Sequence, residues 1–285
     1  MSKIVCTLLA LFLVFGHPAS LRAATEDLVP ALTTPEFDEL VKLMAIEESV
    51  EVMYQEGLAY GTSLDVDLLG GKGGEAWARL VSGAYDPEKM LPVFLARLRQ
   101  EMQSVPQASL KAFFTSELGR RVVRLELSAR QALLDKSVED LADQFRDEMI
   151  LKKDPRLELI QHFIEVSDLV DLNVMGAMNA NFAFYNAMSQ AGAFGDKQSE
   201  QDILSDVWSQ ESETRAQTEG WLVSFLALAY QPLSEEDMQA YIAFSQTAPA
   251  QSLNRAMFAA FDAMFVGISR DLGREAAKIV KQQDL

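Results

Sequence analysis

Glu117-Leu118-Gly119-Arg120-Arg121-Val122-Val123-Arg124-Leu125-Glu126-Leu127-Ser128-Ala129-Arg130-Gln131-Ala132 decides the fold class. Leu118, Val122, Leu125, Ala129 and Ala132 step by three or four, the interval that gathers side chains on one face of an α-helix. Phe37, Leu40, Leu43, Ile46 and Val50 repeat the interval, as do Met257, Phe261, Met264, Ile268 and Leu272. Period-two alternation, the mark of a half-buried strand, is absent, and valine and isoleucine never cluster. The spacing predicts helices near 35–60, 75–84, 87–103, 107–115, 117–135, 138–151, 155–190, 199–230, 235–246 and 250–281. The fold expected is all-α, helical hairpin repeats packed as a bundle-like domain.

The punctuation agrees. Thr34-Pro35, Asp86-Pro87 and Asp154-Pro155 each set a capping oxygen before a proline at the first helical position, where the missing N–H costs nothing. Ser137-Val138-Glu139-Asp140 and Ser234-Glu235-Glu236-Asp237 resemble capping boxes with Asp in place of the usual Glu. Leu69-Gly70-Gly71-Lys72-Gly73-Gly74 reads as a loop, and Gln190 to Asp196 as a turn.

The first residues have three parts: basic Lys3, an apolar run from Ile4 to Gly16, and a small-residue exit through Ala19, Ala23 and Ala24. That is a secretory signal peptide, and the run is too short to span a bilayer, which takes about 20 residues. Cleavage after Ala23 leaves a periplasmic protein. The segment carries Lys3 and Arg22, so its loss takes 25 basic residues to 23 against 42 acidic, a formal charge of −19. Such a charge disfavours nucleic acid and anionic lipid as partners and favours cationic ones. No membrane span is expected in the mature chain. The one cysteine, Cys6, leaves with the signal peptide, so the mature chain has neither disulfide nor thiol nucleophile.

A faint duplication runs through the rest. Pro35 to Val52 lies over Pro155 to Leu172, and Phe113 to Val122 over Phe244 to Leu253. Two tandem repeats, 24–152 and 153–285 after a signal peptide at 1–23, account for both matches; so does the general likeness of amphipathic helices.

Two segments carry a family resemblance: Leu110-Lys111-Ala112-Phe113-Phe114-Thr115-Ser116-Glu117-Leu118-Gly119-Arg120-Arg121-Val122, and Met238 to Leu253 with Tyr241, Phe244, Thr247, Pro249 and Ala250. Each is an aromatic-ending helix, a Ser-Pro-x-Gly-like turn, then Arg or Gln and an aliphatic. This resembles the bacterial family called domain of unknown function twenty-fifty-nine, possibly in two copies. The first segment has Glu117 where proline is usual, and the second Ala250 where glycine is usual. The resemblance implies an exported helical protein of Gram-negative bacteria with no assigned activity, and no catalytic residue to carry over. On physical grounds Ser116 and Thr247 read as N-caps, and Gly119 or Ala250 as the small residue that permits close packing in the following turn.

Chemistry-bearing sets are scarce. His162 is the one histidine of the mature chain, and no Gly-x-Ser-x-Gly elbow exists. With Glu158 or Glu165 it supplies two metal ligands where zinc takes three or four. Glu47, Glu48 and Glu51, and Glu211 and Glu213, read as solvated helix faces. Gly70 to Gly74 around Lys72 lacks the phosphate-loop spacing, though its N–H groups could meet an anion. The candidates for binding are Arg120, Arg121 and Arg124, in the only basic cluster, and Met175, Met178, Asn179 and Asn186, in a small-residue and methionine-rich stretch. Arg121 and Arg130 also stand at i, i+4 from Glu117 and Glu126, the spacing of surface ion pairs. Gly176, Ala180, Ala183 and Ala187 share one helix face that would admit a close neighbour. No catalytic residue, metal or cofactor is expected. The reading is a non-enzymatic periplasmic interaction or binding protein with a protein partner in the cell envelope. The alternatives are a carboxylate-dependent hydrolase of an envelope polymer and a small-ligand carrier with an enclosed apolar pocket near Met175 to Met188.

Overall fold

The computed structural model describes residues 35–194 and 199–283. The expected signal peptide and Thr34 lie outside the described residues, as does part of the Gln190 to Asp196 turn. Among the described residues there is no strand. The helices are α1 (Pro35–Leu43), α2 (Ile46–Leu69), α3 (Gly74–Ala84), α4 (Pro87–Glu101), α5 (Gln107–Thr115), α6 (Glu117–Ala132) and α7 (Lys136–Lys152). They continue with α8 (Pro155–Val166), α9 (Leu169–Gln190), α10 (Glu200–Trp208), α11 (Glu211–Tyr230), α12 (Glu235–Ser245) and α13 (Ala248–Gln283). None is long and apolar enough to cross a membrane.

Most caps fall where the sequence puts them. Asp86 accepts from the Glu88 N–H at 3.0 Å, and Asp154 from the Arg156 N–H at 2.9 Å. Ser116 accepts from Gly119 at 3.0 Å and Thr247 from Ala250 at 3.4 Å. Ser234 and Asp237 make the reciprocal capping box, and Ser199 and Asp202 make another. α7 departs: its cap is Asp135, not Ser137, and its first helical residue is Lys136. The Asp135 carboxylate takes the Ser137 N–H at 2.9 Å, so the helix opens sooner.

Three expected helices are broken. The segment 35–60 is two helices, divided where Ala45 turns left-handed at φ 52°, and the second runs on to Leu69. The segment 155–190 divides at Asp168, φ 48°. The segment 199–230 divides at Ser209 and Gln210. A break frees helix carbonyls that need donors. The Ser49 hydroxyl serves Ala45 O at 2.8 Å, and the Asn254 amide, from distant α13, serves Ser167 O at 3.1 Å.

The run α1 to α6 and the run α8 to α13 share one order. Each begins with a helix that ends at a left-handed residue, goes on through a long helix and three more, and closes with a helix opened by a hydroxyl cap. The two runs interlock, for α13 packs on α4 and α6 packs on α11. The larger core joins Phe37, Leu40, Phe94 and Leu110 to Phe184, Met257, Phe261 and Leu272. The smaller joins Val122 and Ala129 of α6 to Phe163, Leu222, Leu226 and Tyr241. Phe113 and Phe244, which the sequence alignment superimposes, stack on each other with ring centres 3.6 Å apart and planes 6° apart.

Glycine substitutions separate close packing from open surface. A Cβ at Gly119 would lie 2.1 Å from Phe113 O, backbone that cannot swing aside, whereas one at Gly176 meets nothing within 4 Å. Gly119→Ala should therefore lower stability by about 1–3 kcal/mol. Gly176→Ala, in the interior of α9, should raise it by up to ~1 kcal/mol. Urea midpoints of the two variants check both signs.

Candidate functional site

The arginines of α6 work between helices. Arg120, exposed, turns back to Thr115 O, and Arg121 pairs with Asp237 of α12. Arg124 stands exposed. The expected pair Glu117–Arg121 does not form, because Asp237 lies closer in space than the helix neighbour. Nor does Glu126–Arg130. Arg130 is buried and holds Glu56 of α2 through two bonds of 2.7 Å, a fork geometry that a planar guanidinium favours. Asp237 sits below the usual carboxylate range, chiefly through its bonds from Ser234 and then through Arg121.

Glu126 turns inward instead. Its Oε1 accepts from the Tyr230 hydroxyl of α11 at 2.6 Å and from the Tyr241 hydroxyl of α12 at 3.1 Å. The Phe163 ring of α8 lies 5.7 Å from Tyr230 and 4.9 Å from Tyr241. Burial lifts the Glu126 carboxyl from its usual 4.5 to about 7, against the opposing pull of both hydroxyls. Burial, then the nearby Glu126 charge, pushes both phenols well above 10. Sequence reasoning missed this cluster, because Glu126 at i, i+4 from Arg130 looks like a surface partner. It is a proton-holding joint of four helices.

Other sequence candidates settle at the surface. His162 is half-exposed with Nδ1 3.9 Å from Glu165. Among the described residues no group of three His, Cys, Asp or Glu side chains is placed to hold a metal. Glu47, Glu48 and Glu51 are exposed. The Gly70 to Gly74 loop meets its own acid, since Gly73 N–H donates to Asp65 at 2.7 Å.

The stretch 171–188 divides by face. Met178 is buried with Val174 under Ile203 and Val207 of α10, while Met175 is 51% exposed. Ala180 and Ala187 are buried in the packing of α9, whereas Gly176 faces open space, with no neighbour within 4 Å of where a Cβ would stand. Asn179 and Asn186 stand on the rim of a groove between α9 and α13, of about 280 Å³. Phe182, Ala183, Ala187, Gln190, Val266 and Arg270 complete it. The groove is open and amide-rimmed, and Met175 and Met178 do not line it. Asn179 also donates to Asp262 at 2.8 Å, and burial raises that acid above the usual carboxylate range.

One further feature had gone unread. Leu134, Leu141, Phe145, Ile150 and Leu151, on and beside α7, are five of the ten large apolar side chains exposed among the described residues. Leu141 and Phe145, four residues apart in α7, share a face, and Leu134 lies in the turn before the helix. The residues of α7 that are buried are Ala142 and Met149.

The Glu126 cluster predicts how stability follows pH. The folded chain keeps the Glu126 proton to about pH 7, while the unfolded chain releases it near 4.5. Unfolding between those values releases a proton, so stability falls as pH rises through the window and levels off above it. Glu126→Gln keeps a neutral acceptor for both hydroxyls and does not titrate. Its stability relative to the parent should climb by about 1–3 kcal/mol from pH 4.5 to 7. A difference that stays flat from acid to neutral pH, in urea melts, contradicts this. Compared with known proteins, the chain matches no family model, no curated protein and no solved structure.

Proposed function

We propose that this is an exported, non-enzymatic interaction protein of the bacterial cell envelope, and that α7 is the face it offers to a protein partner. The observation that carries the reading is the set of exposed apolar side chains on and beside α7: Leu134, Leu141, Phe145, Ile150 and Leu151. A monomeric surface scatters its exposed apolar side chains, and a run of them along one helix marks an interaction site. Export is supported by the three-part leader at residues 1–23.

A duplication explains why α7 is free. In this reading α1 to α6 and α8 to α13 are two copies of one six-helix unit, in line with the resemblance to the twenty-fifty-nine family. Each copy completes its core with a helix of the other, through α13 on α4 and α6 on α11. α7 joins the copies and packs chiefly on α11, and among the described residues Leu141 and Phe145 stay exposed beside its buried Ala142 and Met149. The partner surface is apolar with a basic rim, because the chain carries 42 acidic residues against 25 basic. Hydrolysis has less support. The groove between α9 and α13 has no carboxylate in its lining, and Glu126 is shut between two tyrosines.

A photo-crosslinking residue at Leu141 of the exported protein tests the proposal in intact cells. A partner of another chain should be captured there and not from a control position at exposed Glu88. Phe145→Asp should abolish the capture, with an unchanged helical circular-dichroism spectrum to show that the variant folds. Capture of nothing but other copies of this chain, or the same products from both positions, would overturn the reading.

A further inference from the structure

The groove between α9 and α13 has an organisation that the docking face does not use. Three amides line one helix: Asn179, Asn186 and Gln190. Their existing bonds fix what each has left. Asn179 spends its amide N–H on Asp262 at 2.8 Å, which leaves its carbonyl to the groove. Gln190 spends an N–H on the Asn186 carbonyl at 3.4 Å. Among the described residues that leaves the Asn186 NH2 and the Gln190 carbonyl without a protein partner. Along the helix the offer runs acceptor, donor, acceptor. The steps of seven and four residues span about 10 Å and 6 Å at 1.5 Å per residue.

Opposite them, on α13, stands Arg270. It is exposed, and among the described residues it makes no ion pair, in a chain with a large excess of acid. No carboxylate lines the groove to neutralise it. Phe182 and Val266 supply apolar surface in the same lining. The volume of about 280 Å³ is that of roughly nine waters at 30 Å³ each, the scale of a ligand with about ten non-hydrogen atoms.

An alternating amide row matches an amide-bearing ligand, whose N–H and C=O need one acceptor and one donor. A free guanidinium matches a carboxylate, which it grips with two parallel bonds. We propose that this groove binds a small acylated amino acid or dipeptide through its free carboxylate. Arg270 holds the carboxylate, Asn186 donates to the ligand carbonyl, and Asn179 or Gln190 accepts from its N–H. The ligand's apolar side chain lies on Phe182 and Val266. The site is a second one, on other helices than the α7 face, and either can fail without the other.

Nuclear magnetic resonance titration of the full mature chain with N-acetyl-L-leucine tests the proposal, with N-acetyl-L-leucinamide as the neutral analogue and acetate as the bare carboxylate. The acid should shift Asn179, Asn186 and Gln190 side-chain amides at millimolar concentration, with the amide analogue and acetate each at least tenfold weaker. Arg270→Met should bring the acid down to the amide analogue's affinity and leave the analogue's own binding unchanged. Asn186→Leu should weaken both ligands. Unchanged thermal midpoints establish that both variants fold. Equal binding of acid and amide, full binding of the acid by Arg270→Met, or no shift of these amides with any probe would each overturn the proposal. Equal response to acetate and the acylated acid would reduce the site to a carboxylate contact and sink its amide half.

Discussion

The seating of α13 between α4 and α9 is the constraint on which the rest depends. At 36 residues α13 spans about 54 Å, long enough to pass through the whole core. From Leu253 to Ile268 it is apolar on more than one side, with Met257, Phe261 and Met264 among its buried residues. Such a helix has to be enclosed, since a single apolar stripe is what a surface helix presents. The enclosure is tight. A Cβ at Gly273 would lie 2.3 Å from Phe184 O, so α9 and α13 meet backbone to backbone at that level. Phe94 of α4 closes the other side, its ring 4.6 Å from that of Phe261.

The same seating ties the two ends of the chain together. Asn254, buried on α13, holds the carbonyl of Ser167 where α8 and α9 part, and so supports the left-handed Asp168 from a distance. Arg156 of α8 donates to Tyr230 O and Leu233 O at 2.6 and 2.9 Å, covering the last carbonyl of α11 and one in the turn that follows. Arg130 and Glu56 bridge α6 to α2, and Glu126 reaches both α11 and α12. These polar side chains join elements far apart in sequence. Most of the energy lies in apolar burial, but these bonds fix which helix lies beside which, because a buried polar group without its partner costs more than the bond returns.

This division sets what could be read in advance. Helix existence was legible from spacing, and most starts from capping residues such as Asp86, Asp154 and Ser234, because both signals are local. The breaks at Ala45 and Asp168 were not. Neither residue is glycine, and the donors that stabilise the breaks include Asn254, far along the chain. Glu126 and Arg130 were misread for the same reason: i, i+4 spacing shows who can pair on a helix, not who wins in space. Asn179 and Asn186 were legible as a stripe, but the Arg270 that faces them was not, since it comes from another helix. The α7 stripe is the reverse case. Its periodicity is plain in the sequence and looks like an ordinary core face. Only the packing shows that, among the described residues, Leu141 and Phe145 stay exposed.

Native-state hydrogen exchange across a urea series measures the interlocked core directly. Amides of α4, α6, α11 and α13 should lose protection together, with one free energy and one urea dependence, because no half holds a complete core. Amides of α7 should open earlier, through a smaller fluctuation. Two separate openings, one for residues 35–132 and another for 155–283, would contradict the interlock, and α7 protection equal to that of α13 would contradict its peripheral place.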